Sequence, residues 1–110
     1  MTKVTFYQNQ AGEFIGFTAD GHAGSGEAGN DLVCAAVSVL VINTVNSLEQ
    51  LTEDELTVES DEERGRIRLT IGGKSSRDAQ LLLRSLAVGL TSLESDEANQ
   101  EFIDIIFEEV

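Results

Sequence analysis

The chain has 110 residues, 41% of them hydrophobic, with one cysteine, one histidine, no proline and a formal net charge of −13. That length predicts one domain over residues 1–110, able to bury a core without disulfides or metals. The acidity disfavours direct nucleic-acid binding, which needs clustered Lys and Arg. A single thiol excludes an internal disulfide and suits a cytoplasmic protein.

No basic region followed by an apolar run opens the chain at Met1–Phe6, so no secretory signal is visible. Thr2–Gln8 alternates, with Val4 and Phe6 on one face and Thr5 and Tyr7 on the other. Turn chemistry at Asn9–Gly12 predicts a hairpin to Glu13–Asp20, where Ile15, Phe17 and Ala19 share a face. The stretch Gly21–Gly29 reads as a loop. Leu32 to about Leu51 has no internal glycine and predicts a helix. Its longest apolar run, Leu32–Ile42, is too short to span a bilayer, so no membrane is expected as a partner.

Leu56–Ser60 and Arg64–Ile71 predict a second hairpin around Asp61-Glu62-Glu63, with Ile67, Leu69 and Ile71 facing inward. Ser75 is expected to open a second helix, with Asp78 completing a capping box. Ala79, Leu82, Leu83, Leu86, Leu90 and Leu93 recur at helical spacing. A last strand is expected over Glu101–Glu108. The order ββαββαβ predicts an α/β protein of the α+β kind: a mixed, mostly antiparallel sheet with two helices packed on it. The first helix is apolar nearly all round until Asn43 and Asn46, which points to burial on more than one side and to a homodimer.

The chemistry concentrates between Gly21 and Ser38. His22 follows a strand end between two small residues, Gly21 and Ala23, and Cys34 lies twelve residues on, near the expected helix start. A helix start and an adjacent imidazole both favour thiolate, the nucleophilic form of cysteine, so the two suggest a Cys34–His22 dyad. His22 could take the thiol proton and return it to a leaving amine. Asp31 could orient His22 as the third member of a triad or cap the helix, a role open also to Asn30. Ser38, one turn after Cys34, could support the site or bond back to its own helix.

Gly21, Gly24, Ser25, Gly26 and Gly29 suggest a mobile lid that orders over a bound peptide. No cofactor is implied. One His and one Cys, even with Asp31 and Glu27, fall short of a structural zinc site, and Gly24-Ser25-Gly26 lacks the lysine of a phosphate loop.

The pattern Gly21-His22-Ala23, a glycine-rich loop, then Asp31-Leu32-Val33-Cys34-Ala35-Ala36-Val37-Ser38 resembles the ribosomal-processing cysteine protease (Prp) family over the whole chain. The resemblance implies a small homodimeric α/β endopeptidase that removes the N-terminal extension of a large-subunit ribosomal protein, cutting after aromatic residues. A basic ribosomal protein also suits the acidic surface by electrostatic attraction. Read without the resemblance, the same residues leave two alternatives: a non-catalytic dimeric module that docks on a basic ribosomal protein or assembly factor, and a thiol redox sensor.

Overall fold

The computed structural model describes residues 1–21 and 28–110, the side chains of residues 28–30 excepted. Seven elements follow in the order β1 (Thr2–Gln8), β2 (Phe14–Asp20), α1 (Ala28–Leu51), β3 (Glu55–Asp61), β4 (Arg66–Gly72), α2 (Arg77–Ser95) and β5 (Ile103–Glu109). The strands form one sheet in the order β3-β4-β2-β1-β5. β1 pairs in parallel with β5, and every other pairing is antiparallel. The expected ββαββαβ order and mixed sheet are both observed.

Alternation gives β1 its buried face of Thr2, Val4 and Phe6. Phe6 pairs with Phe17 and Val4 with Ala19, so the inward side chains of β1 and β2 stand opposite each other. A register shift between Tyr7 and Gln8 puts Gln8 opposite Phe14. This irregularity turns Phe14 into the core in place of the expected Ile15, which is only half-buried. Phe6 then sits among three aromatic rings, tilted against Phe14 at 5.2 Å and Phe17 at 6.1 Å and stacked on Phe107 at 5.4 Å.

Both helices contribute to the same core. Val33, Val37, Val41, Val45 and Leu48 form the inward row of α1, and Ala79, Leu83, Leu86, Ala87 and Leu90 that of α2. α1 outruns the apolar stretch that looked too short for a bilayer: Asp31–Leu51 is long and apolar enough to cross a membrane by length and composition, with a mean hydropathy of 1.7. Its inward row is packed against the sheet and α2, which buries 33% of that span.

Several boundaries differ from expectation: β4 begins at Arg66, β5 at Ile103, and both helix starts differ for local reasons. α1 begins at Ala28, three residues before Asp31, because Ala28 is a strong helix former and Asp31 is well placed in a first turn near the positive helix end. α2 is capped by Ser76, not Ser75: the Ser76 hydroxyl accepts a hydrogen bond from the Ala79 amide at 3.0 Å. The Ser75–Asp78 box therefore does not form. Ser75 instead accepts from the Gln80 side chain, which also bonds both backbone groups of Phe14 and ties α2 to β2.

Candidate active site

The chain turns out of β2 at Gly21, at one end of the sheet where β1 begins and β4 begins. Lys3 pairs with Asp20, and Asp20 with Arg66, so all three strands meet there. The Gly21 amide donates to the Gly65 carbonyl at 3.0 Å, continuing the β2–β4 ladder by one bond. Gly65 closes the β3–β4 turn at φ +65°, a conformation that favours glycine. A Cβ at Gly65 would overlap the Gly21 carbonyl oxygen. The Arg66 side chain donates to Asp20 at 2.6 Å, and that carboxylate raises the pKa of the Arg66 guanidinium. An exposed pair of this kind contributes little stability, but it orders the strand end beside Gly21.

Cys34 faces this strand end from α1. It is half-buried, between the buried Val33 and the inward Val37. A Cβ placed on Gly21 would lie 3.3 Å from the Cys34 sulfur and 3.6 Å from the Thr2 hydroxyl oxygen. Glycine at position 21 thus leaves space beside both the Cys34 sulfur and the Thr2 side chain. That space is a cavity of about 130 Å³ between the start of β1, the end of β2, the start of β4 and α1. Its walls include Ala19, Val37, Val41 and Ile67, with Thr2, Cys34 and Ser38 supplying polar atoms.

The sequence-predicted residues divide as follows. Gly21, Cys34 and Ser38 are brought together around the cavity, with the Ser38 side chain exposed at its margin. Cys34 is the seventh residue of α1, late in the second turn, further from the helix start than expected. The helix dipole acts chiefly on the first turn, and Cys34 lies beyond it. Asp31 lies inside the first turn of α1 with an exposed side chain. Gly29 is helical, which shortens the predicted loop at its end. The Gly21 amide is engaged by its ladder bond to Gly65. His22, Gly24, Ser25 and Gly26 lie outside the described residues, as does any contact of Asp31 with His22.

Two residues of the site escaped sequence reasoning. Thr2 belongs to the inward face of β1, and a hydroxyl in an apolar row was the available signal. Gly65 ends the acidic turn Asp61–Arg64, where a glycine before a strand marks positive φ.

A larger open depression of about 860 Å³ lies at the other end of α1, between Leu51–Glu55 and Gly72–Asp78. The Cys34 cavity and this depression sit at opposite ends of a helix about 25 Å apart at 1.5 Å per residue. Its lining mixes Glu53, Asp54, Glu55 and Asp78 with Lys74 and Arg77, and carries no nucleophilic thiol.

Residues 1–103 match the family model described as cysteine protease Prp. The ribosomal processing cysteine protease Prp of Staphylococcus aureus is 30% identical over 96 residues, covering 87% of this chain and 91% of that protein. The protein of the same name from Bacillus subtilis is 29% identical over 100 residues, covering 87% and 89%. Among solved structures, the S. aureus protease Prp in complex with a substrate peptide superposes with a TM-score of 0.90 at 28% identity, covering 98% of this chain and 100% of that one. The S. aureus protein with a covalently linked product peptide gives 0.85 at 30% identity over the same shares. The chain therefore belongs to the cysteine protease Prp family and is a cysteine protease.

Proposed function

We propose that this protease removes the N-terminal extension of a large-subunit ribosomal protein, with Cys34 as nucleophile and His22 as general base and acid. The observation that carries the reading is the position of the Cys34 sulfur. The chain's one thiol opens into a cavity against Gly21, the residue immediately before the chain's one histidine.

In this mechanism His22 takes the thiol proton and the Cys34 sulfur attacks the scissile carbonyl carbon. A C–S bond forms, and the carbonyl π electrons move onto oxygen. Collapse of this intermediate breaks the C–N bond, and His22 passes its proton to the departing amine. Water, deprotonated by His22, then attacks the thioester. The C–S bond breaks, releasing a carboxylic acid and the free thiol. The S. aureus relative with its covalently linked product peptide fits nucleophilic catalysis of this kind. Its substrate-peptide complex and its name support a ribosomal protein precursor as the substrate.

The net charge of −13 supports a basic partner, since opposite charge speeds encounter. A homodimer is supported by α1, whose outward side exposes Leu32 (73%) and Val39 (68%) together with Ile42. A cytoplasmic setting is supported by the unpaired thiol chemistry, which a reducing compartment preserves. The deciding experiment incubates the purified protein with the full-length ribosomal protein precursor and weighs the products by mass spectrometry. One cut that releases the N-terminal extension is expected. An intact precursor, or cleavage that persists in Cys34→Ala, overturns the assignment.

A further inference from the structure

Thr2 sits where its strand calls for an apolar side chain. It begins the inward row Thr2, Val4, Phe6, and it is 2% exposed. Its amide donates to the Phe102 carbonyl at 2.7 Å. Its hydroxyl finds no hydrogen-bond partner among the described residues. A buried hydroxyl left unpaired costs about 1–3 kcal/mol. Valine has the same shape and a higher strand preference, so it would avoid that cost. Thr2 lines the cavity that Cys34 lines, and its hydroxyl oxygen is itself closed to solvent. Both groups lie within van der Waals reach of one point beside Gly21, which places the hydroxyl oxygen within about 7 Å of the sulfur.

We propose that this cavity is a side-chain subsite for a substrate residue flanking the scissile bond, and that Thr2 is its specificity-determining residue. The proposal rests on the assignment of Cys34 as nucleophile. The chemistry of the walls defines the side chain. A volume of about 130 Å³ approaches that of an apolar protein cavity of roughly 150 Å³ that holds benzene, so one aromatic ring or a chain of four or five heavy atoms fits. Ala19, Val37, Val41 and Ile67 contact its apolar body. The Thr2 hydroxyl, which both donates and accepts, meets a neutral polar atom at its tip. Asp20 at the rim disfavours a carboxylate. The preferred occupant is therefore a neutral side chain with a hydrogen-bonding end, such as Gln or Tyr, over its apolar counterpart, Met or Phe.

The test uses peptides that span the cleavage site, varied as Gln/Met and Tyr/Phe pairs at each position on both sides of the cut. Relative kcat/KM is measured for wild type, Thr2→Val and Thr2→Ser. At one position, wild type should favour the polar-tipped member by about tenfold or more, as expected for one buried hydrogen bond. In Thr2→Val that ratio should fall toward one, and Thr2→Ser should keep it. A wild type with no such preference at any position overturns the proposal, and this result needs no variant to fold. An unchanged ratio in Thr2→Val overturns it as well. Either failure leaves the nucleophile assignment intact if Cys34→Ala is inactive on the same peptides, whereas cleavage by Cys34→Ala removes the assignment itself.

Discussion

Replacing Cys34 by alanine deletes one sulfur atom from a half-buried position on a helix. Alanine is a better helix former than cysteine, and the space it vacates joins a cavity already present. Cys34→Ala should therefore lose about 1 kcal/mol of stability at most while abolishing cleavage, checked by thermal melting beside a product assay. Gly65 should behave in the opposite way, changing the geometry without touching the chemistry. Its φ of +65° and the Gly21 carbonyl against it leave no room for a methyl group. Gly65→Ala should destabilise by at least about 1 kcal/mol and slow cleavage, because the strain is relieved by moving Gly21 beside the Cys34 sulfur. A lowered melting temperature with an unchanged rate would confine the role of Gly65 to the hairpin. Both residues show what was legible one position at a time. Cys34 could be picked out from its residue type alone, and the structure places it on the cavity. Gly65 and Thr2 carried only local signals, because their roles depend on neighbours distant in sequence: Gly21 lies 44 residues before Gly65, and Cys34 lies 32 after Thr2.

Elements were legible wherever one periodicity ran uninterrupted. The stripe of α2 and the alternation of β4 both appear as expected, since each buries one face against the same core. Errors gathered where a single local interaction outweighs the pattern, as at the β1–β2 irregularity that exchanged Ile15 for Phe14 and at the α2 cap. That cap is reinforced from outside the helix. Asp54 accepts hydrogen bonds from both the amide and the hydroxyl of Ser76, while the same hydroxyl accepts from Ala79. Burial pushes the Asp54 carboxyl up, but the bonds from Ser76, with help from Thr52, outweigh it and hold the group below its ordinary value. A carboxyl whose pKa is lower in the folded chain stabilises the fold above its unfolded pKa, and that contribution disappears as pH falls through the folded value. Asp54→Asn should therefore be less stable than wild type at neutral pH, with the gap closing as both are acidified below about pH 4. Ser76→Ala should cost about 1 kcal/mol. Denaturant titrations across pH check both, and a gap that stays constant into acid would show that Asp54 acts through shape alone.

At the scale of the whole molecule, the unresolved tension is between apolar surface and charge. α1 carries only Asp31 and Glu49 as charged residues along 24 positions, and Leu32, Val39 and Ile42 remain exposed after its inward row is packed. Single exposed apolar residues are ordinary, but a stripe at helical spacing on a charge-poor helix suits association. Two copies meeting there would bring together −13 charges each. Apolar burial would drive the contact, while long-range repulsion between the acidic bodies would oppose it. These terms respond differently to salt. Added salt screens the repulsion and leaves the apolar contact in place, so dimerisation through α1 should strengthen as ionic strength rises. Val39→Glu should shift the protein toward monomer by adding two like charges at the centre of a symmetric contact, one from each copy. Val58→Glu, on the exposed β3, should not. Sedimentation equilibrium at several salt concentrations distinguishes the cases. A dimer that dissociates in salt would place the interface on charged surface instead, and a monomer under all conditions would leave the α1 stripe for another partner.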